Sequence, residues 1–181
     1  ENRHIGCNCV MCVSIRAMIA DMRRQMSEET YVVSSEPIKA NFGQENTPDK
    51  IIDEMITLLK LTPSDVLADL GCGDGRILIS AVKKTGCRAV GVEIDPAKAS
   101  EARVNAEKAG LSAKITVITG DVTAFRPEDY QVTAITAFLY PELLEKIGPA
   151  IYSVGKAASP YHSIPGLTMT RHGDVWIFNR K

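Results

Sequence analysis

One junction constrains this chain more than any other. Val66-Leu-Ala-Asp-Leu70 is a short apolar run, and it passes without a spacer into Gly71-Cys-Gly73-Asp74-Gly75. Arg76 to Lys84 follows with the spacing of a helix. Glycines at every second position permit positive φ and let a ligand approach the backbone closely. A strand that turns on glycines into a helix is the opening of a crossover unit, which demands a parallel sheet. The helix N-terminus adds unpaired N–H groups and a partial positive charge, suited to a carboxylate or phosphate. Taken alone, such a turn serves a nicotinamide site, a flavin site or simple packing equally well.

The surrounding sequence repeats that unit. Thr47-Pro48-Asp49 reads as a helix start, with Thr47 as N-cap, Pro48 in the first position and a buried stripe of Ile51, Ile52, Met55, Ile56, Leu58 and Leu59. After the strand at 66–70 and its helix, Arg88 to Glu93 reads as a strand, Pro96 to Ala109 as a helix and Lys114 to Thr119 as a strand. Val132 to Leu139 is the fourth expected strand and Pro141 to Ile147 the helix behind it. A fifth strand is expected within Val154 to Tyr161, after a stretch with no further helix. Leu167 to Arg171 and Val175 to Asn179 then flank His172-Gly173-Asp174, a hairpin signal. The expected fold is α/β: a doubly wound, mainly parallel sheet of about seven strands with an antiparallel C-terminal hairpin.

Residues 1–46 lack this alternation and are expected to form an appendage, with the main domain at 47–181. The appendage carries a cysteine cluster, an amphipathic helix within Val10 to Met26, and an extended linker. His4, Cys7, Cys9 and Cys12 are soft ligands within nine residues, a possible zinc or iron–sulfur set. The spacing is not a standard zinc spacing and no second cysteine pair follows, so no metal is assigned. Cys72 and Cys87 are expected as small buried residues, and His162 and His172 as loop residues.

Hydrophobic residues make up 45% and charged residues 24%, enough for a core without disulfide staples. The net charge of -1 provides no general basic field for nucleic acid, so an RNA acceptor would need a local patch. No apolar run approaches the roughly 18–20 residues of a bilayer span, and Glu1 to Asn8 does not read as a signal peptide. A cytoplasmic protein is the expectation.

Two further carboxylates narrow the ligand. The glycine spacing is G-x-G-x-G rather than the dinucleotide G-x-G-x-x-G. Gly91-Val-Glu93-Ile-Asp95 closes the next strand, with Glu93 placed 22 residues after Gly71, where a carboxylate can accept ribose hydroxyls. Gly120-Asp121 closes the third strand, where Asp121 can accept from an adenine amino group. Together these features point to a nucleoside-containing ligand.

Asp69 to Arg76, Val92 to Asp95 and Gly120-Asp121 resemble the first three motifs of class I S-adenosylmethionine (SAM)-dependent methyltransferases. Asn46-Thr47-Pro48 and Phe138-Leu-Tyr140-Pro141 are similar to a subgroup of small archaeal, bacterial and mitochondrial enzymes regarded as protein-lysine N-methyltransferases. The likeness covers roughly residues 45–181. It implies SAM as cofactor, held by Thr47, Asp69, Gly71, Gly73, Asp74, Gly75, Glu93, Ile94, Asp121 and Val122. Asp69 would lie near the ammonium, Glu93 on the ribose, and Asp121 with Val122 on the adenine.

The chain departs from that pattern where Gln131-Val-Thr-Ala lacks the acidic residue or Asn common before the fourth strand, so no general base is evident. The Asn/Asp-Pro-Pro-Tyr/Phe motif of enzymes methylating nucleic-acid amino groups is also absent. Phe138 and Tyr140 are expected on one face of the fourth strand's end, as walls of the acceptor pocket. A protein lysine is the expected acceptor. RNA, a small molecule, or SAM binding without turnover are the alternatives.

Overall fold

The computed structural model describes residues 47–180. The expected N-terminal helix, the linker and the cluster of His4, Cys7, Cys9 and Cys12 lie outside the described residues.

Helix α1, Asp49–Leu59, buries Ile51, Ile52, Met55, Ile56 and Leu59 at helical spacing, with Leu58 only partly covered. The residue preceding it is Pro48, not Thr47 as expected, and no side chain caps the end. The Pro48 carbonyl instead accepts from the N–H groups of Ile51 and Ile52. Thr47 is itself buried, so its side chain is drawn inward.

Strand β1, Val66–Leu70, has all five residues buried, as a central strand covered on both faces must. It feeds α2, Arg76–Thr85, whose buried residues are Ile77, Leu78, Ala81 and Val82. Strand β2, Arg88–Glu93, precedes α3, Pro96–Lys108. The buried side of α3 is Ala99, Ala102 and Ala106, so this helix approaches its neighbours closely. Strand β3, Ile115–Thr119, leads into two short 3-10 turns, Val122–Ala124 and Pro127–Tyr130.

Strand β4 is only Ala134–Ala137, shorter than the expected 132–139. Helix α4 is longer than expected: it runs Pro141–Val154 through Pro149. Leu144, Ile147, Gly148 and Ile151 form one continuous buried stripe across the proline. Burial of that face outweighs a break worth about 3 kcal/mol. The stretch that read as lacking a helix is thus the second half of α4. Gly155, at φ 85°, ends the helix, and β5, Lys156–Pro160, follows. The hairpin is β6, Thr170–His172, and β7, Val175–Asn179; the first lies later than the expected 167–171.

The seven strands form one sheet in the order β3-β2-β1-β4-β5-β7-β6. Strands β1 to β5 pair in parallel, and β7 runs antiparallel to both β5 and β6. Insertion of a reversed strand separates this sheet from the all-parallel 3-2-1-4-5-6 dinucleotide arrangement. One apolar layer joins α1, α2 and α3 to the sheet, and a second joins α4 and Ile164 to the opposite face. Leu67, Leu78 and Leu144 have no exposed surface, and each is worth about 1.5–3 kcal/mol of burial. Among the described residues, no helix is long and apolar enough to cross a membrane.

Candidate active site

In a parallel sheet, function gathers at the carboxyl ends of the strands, where the order reverses. Here β1 lies between β2 and β4, so the tips of β2, β1, β4 and β5 stand side by side.

The turn after β1 holds Gly71, Gly73 and Gly75 at φ of 85°, 54° and 82°, all left-handed. The N–H groups of Gly71 and Cys72 both donate to the Val92 carbonyl, at 2.9 and 3.0 Å, which ties the loop to β2. A side chain at Gly75 would press on Ala102 of α3, with Cβ atoms 3.1 Å apart. At Gly73 a Cβ would meet nothing within 4 Å. Gly75 is therefore a packing glycine, while Gly73 borders open space in front of the loop.

Glu93 ends β2 and is 8% exposed. Its Oε2 accepts from the Gly73 N–H at 2.9 Å and its Oε1 from the Asp95 N–H at 3.0 Å. The carboxylate thus fastens the glycine loop to the start of α3. Each oxygen keeps acceptor capacity for a further donor. Ile94, next in the chain, is 70% exposed, an apolar side chain presented to solvent.

Asp69 lies one residue before the end of β1 and is 1% exposed. Its Oδ1 accepts from the Thr136 hydroxyl at 2.7 Å, while Oδ2 is buried with no partner among the described residues. Burial is the main cause that lifts its pKa from the ordinary 3.8 to about 7. The Thr136 hydrogen bond opposes this rise, and the Glu93 and Asp74 carboxylates add to it. A buried carboxylate oxygen without a donor is costly, and it fits the cationic end of a ligand in the adjoining loop.

Asp74 is oriented otherwise. Arg76 grips it through Nε and Nη2, at 3.1 and 2.7 Å, and these hydrogen bonds hold its carboxyl below the usual range. Asn105 donates to the Asp74 carbonyl at 3.0 Å, bracing the loop from α3. Asp121, past β3, is exposed and accepts from the Thr123 N–H at 2.8 Å, which lowers its pKa. It caps the first 3-10 turn, on which Val122 packs against the second core layer.

The acceptor side differs from expectation. Strand β4 stops at Ala137, so Phe138 and Tyr140 lie beyond its paired residues rather than within the strand. Tyr140 is the residue immediately before α4 and is 49% exposed. Phe138 packs instead on Tyr161, past β5, with ring centroids 5.6 Å apart at 57°. Sequence reasoning missed Tyr161, which lies far from Phe138 in the chain. The aromatic after Pro160 was its only local signal. Thr136, the donor to Asp69, was missed for the same reason. Cys72 and Cys87 are buried free thiols, as expected, and His162 and His172 are exposed. Among the described residues, no group of three or more His, Cys, Asp or Glu is placed to hold a metal.

Sheet order, glycine loop and strand-tip carboxylates are similar to those of the class I SAM-dependent methyltransferase fold. The model of the ANTKMT methyltransferase domain matches residues 69–158. The chain is 36% identical over 106 residues to a protein-lysine N-methyltransferase of Saccharolobus islandicus, covering 58% of this chain and 65% of that protein. It is 32% identical over 93 residues to the ribosomal protein L11 methyltransferase of Aeromonas hydrophila, covering 51% of this chain but only 31% of that one. Among solved structures, an RNA methyltransferase from Salinibacter ruber in complex with S-adenosylhomocysteine is similar at a TM-score of 0.67. It is 29% identical, and the match covers 75% of this chain and 92% of that one. The chain thus spans 65% and 31% of the lengths of the two curated relatives described.

Proposed function

We propose that this protein transfers a methyl group from SAM to the ε-nitrogen of a protein lysine. The observation that carries the proposal is the juxtaposition at the strand tips. A glycine cradle with an unpaired buried carboxylate oxygen adjoins half-exposed aromatic rings at the ends of β4 and β5. Similarity to a protein-lysine N-methyltransferase supports the acceptor.

When bound, SAM supplies a methyl on a positively charged sulfur, already activated for in-line displacement. Asp69 Oδ2 receives the ammonium of its methionine portion. Gly73 leaves room for that portion to lie against the loop, and Gly71 and Asp74 shape the turn. Glu93 accepts the ribose hydroxyls while keeping its two backbone donors. Ile94, Asp121 and Val122 receive the adenine, and Thr47 lines the approach from α1. These residues align the donor, and alignment alone contributes roughly 7–11 kcal/mol in favourable systems. The attacking amine must present its lone pair. An ordinary lysine has a pKa of about 10.4, and a poorly hydrated aromatic wall lowers it by disfavouring the ammonium. The proton then leaves to solvent, consistent with the missing carboxylate at Gln131 to Ala134. Phe138 and Tyr140 guide the acceptor.

The RNA reading has one observation in its favour, the likeness to the Salinibacter ruber RNA methyltransferase. Tritiated-methyl transfer from SAM into a cell lysate separates the two. Label removed by protease and resistant to RNase is expected, with methyl-lysine after acid hydrolysis. RNase-sensitive label would replace the lysine reading with the RNA one. SAM binding without release of S-adenosylhomocysteine would make the chain a SAM-responsive regulator.

A further inference from the structure

Tyr161 is a bulky residue in a backbone conformation that suits glycine. Its φ is 63°, in the left-handed region, directly after Pro160 closes β5. Such a conformation costs on the order of 1–3 kcal/mol and persists only where surrounding structure enforces it. Here it is enforced from both sides. The Tyr161 N–H donates to the Asp174 carbonyl at 2.7 Å, in the turn between β6 and β7, and the His162 N–H donates to Pro160 at 2.7 Å. Glycine or asparagine would make this reversal with less strain. Burial does not account for the ring either, since Tyr161 is 42% exposed. The strained backbone sets an aromatic ring against Phe138 and leaves it open to solvent.

The location gives that ring a use. Strands β1, β4 and β5 are successive neighbours. At a strand spacing of about 4.8 Å, the tip of β5 stands about 10 Å from the glycine loop of β1. An extended side chain entering across β5 and β4 reaches the loop over that distance. The two rings are tilted to one another, so they form a corner rather than a flat platform. A corner of π faces attracts a compact cation more than a planar base, which needs one free face. Asp174, whose carbonyl accepts from the Tyr161 N–H, is exposed and adds negative charge that disfavours phosphate. Arg171 is engaged by the Gly173 carbonyl and the Trp176 ring.

We propose that Tyr161 and Phe138 form the wall that receives the alkylammonium end of the acceptor, with Tyr161 as its positioning residue. The inference rests on the lysine reading above and adds a residue and a chemical selectivity to it.

The test uses the full chain saturated with SAM and three probes: n-butylammonium, n-pentanol and uridine monophosphate. Binding is followed by ligand-observed NMR. Butylammonium should bind in preference to the other two. Tyr161→Asn, which tolerates the left-handed backbone, should weaken it about fivefold, and Tyr161→Phe should restore it to within about twofold. SAM affinity and Tm should not fall in the Asn variant. Butylammonium binding unchanged in Tyr161→Asn overturns the proposal, as does equal binding of pentanol or uridine monophosphate. On a methylated protein substrate, the same variant should raise KM for the acceptor and leave KM for SAM alone. A parent enzyme that labels no lysine while its butylammonium binding still depends on Tyr161 refutes the lysine reading and leaves the aromatic corner standing. Lysine labelling unaffected by Tyr161→Asn refutes the corner and leaves the lysine reading.

Discussion

Thr136 Oγ1 and Asp69 Oδ1 are joined by a 2.7 Å hydrogen bond between paired positions of β4 and β1, and both residues are buried. The bond satisfies one carboxylate oxygen and leaves the other without a partner among the described residues. Burial, against the opposing effect of this bond, makes Asp69 a group whose protonation matters near neutrality.

The sign of that effect is fixed by the raised pKa. Between about 4 and 7 the native state holds a proton on Asp69 that the unfolded chain, near 3.8, has released. This contribution to stability is fully present below about 4 and is lost as pH rises to about 7. Asp69→Asn should therefore flatten the decline in Tm over that window relative to the parent. Parallel Tm–pH curves for the two proteins would contradict the assignment.

SAM binding should carry the opposite pH dependence. An ammonium beside Oδ2 favours the ionised carboxylate, so SAM affinity should rise as pH passes upward through about 7. Calorimetry in buffers of different ionisation enthalpy should detect proton release on binding. In Asp69→Asn that release should disappear.

Glu93→Ala should weaken SAM by roughly 1.5–3 kcal/mol, the loss of hydrogen bonds to a charged group. Because Glu93 also holds the N–H groups of Gly73 and Asp95, amide exchange in the glycine loop should quicken as well. Unchanged affinity in a folded variant, measured by calorimetry, would remove Glu93 from the ribose site.

Gly73 and Gly91 should respond to side chains in contrasting ways. A Cβ at Gly73 meets nothing within 4 Å among the described residues, whereas one at Gly91 would lie 2.6 Å from both Cys72 Sγ and Leu78 Cδ1. Gly91→Ala should cost about 1–3 kcal/mol in denaturant unfolding through overpacking. Gly73→Val should abolish SAM binding while the protein stays folded, with only the strain of a branched residue at positive φ. Near-parent affinity in Gly73→Val would make the turn purely structural.

Tyr140→Ala should depress kcat more than it weakens SAM, since loss of acceptor alignment falls on the transition state. Tyr140→Phe distinguishes ring from hydroxyl. Turnover kept by Phe assigns the effect to the ring, and a loss equal to that of Ala assigns it to the hydroxyl. Steady-state kinetics on a verified acceptor decides between them, and full activity in both variants would remove Tyr140 from the acceptor site.

Local chemistry was enough to place β1, the glycine turn, α2, β2 and Glu93. Each depends on a short pattern: an apolar run, left-handed glycines, or an acidic residue at a strand end. The hairpin before β7 was legible for the same reason. The length of α4 was not, because Pro149 is a local break signal and only the buried stripe of Leu144, Ile147 and Ile151 overrules it. Nor was the early end of β4, since Val132 to Leu139 is interrupted only by Thr133 and Thr136 while strand pairing is present only from Ala134 to Ala137. The two pairings proposed to tune the site, Thr136 with Asp69 and Phe138 with Tyr161, join residues far apart in the chain. Sheet register and the reversal at Pro160 create those contacts. No window of sequence contains both partners, so tertiary packing alone sets which ring meets which and which carboxylate is left with a free oxygen.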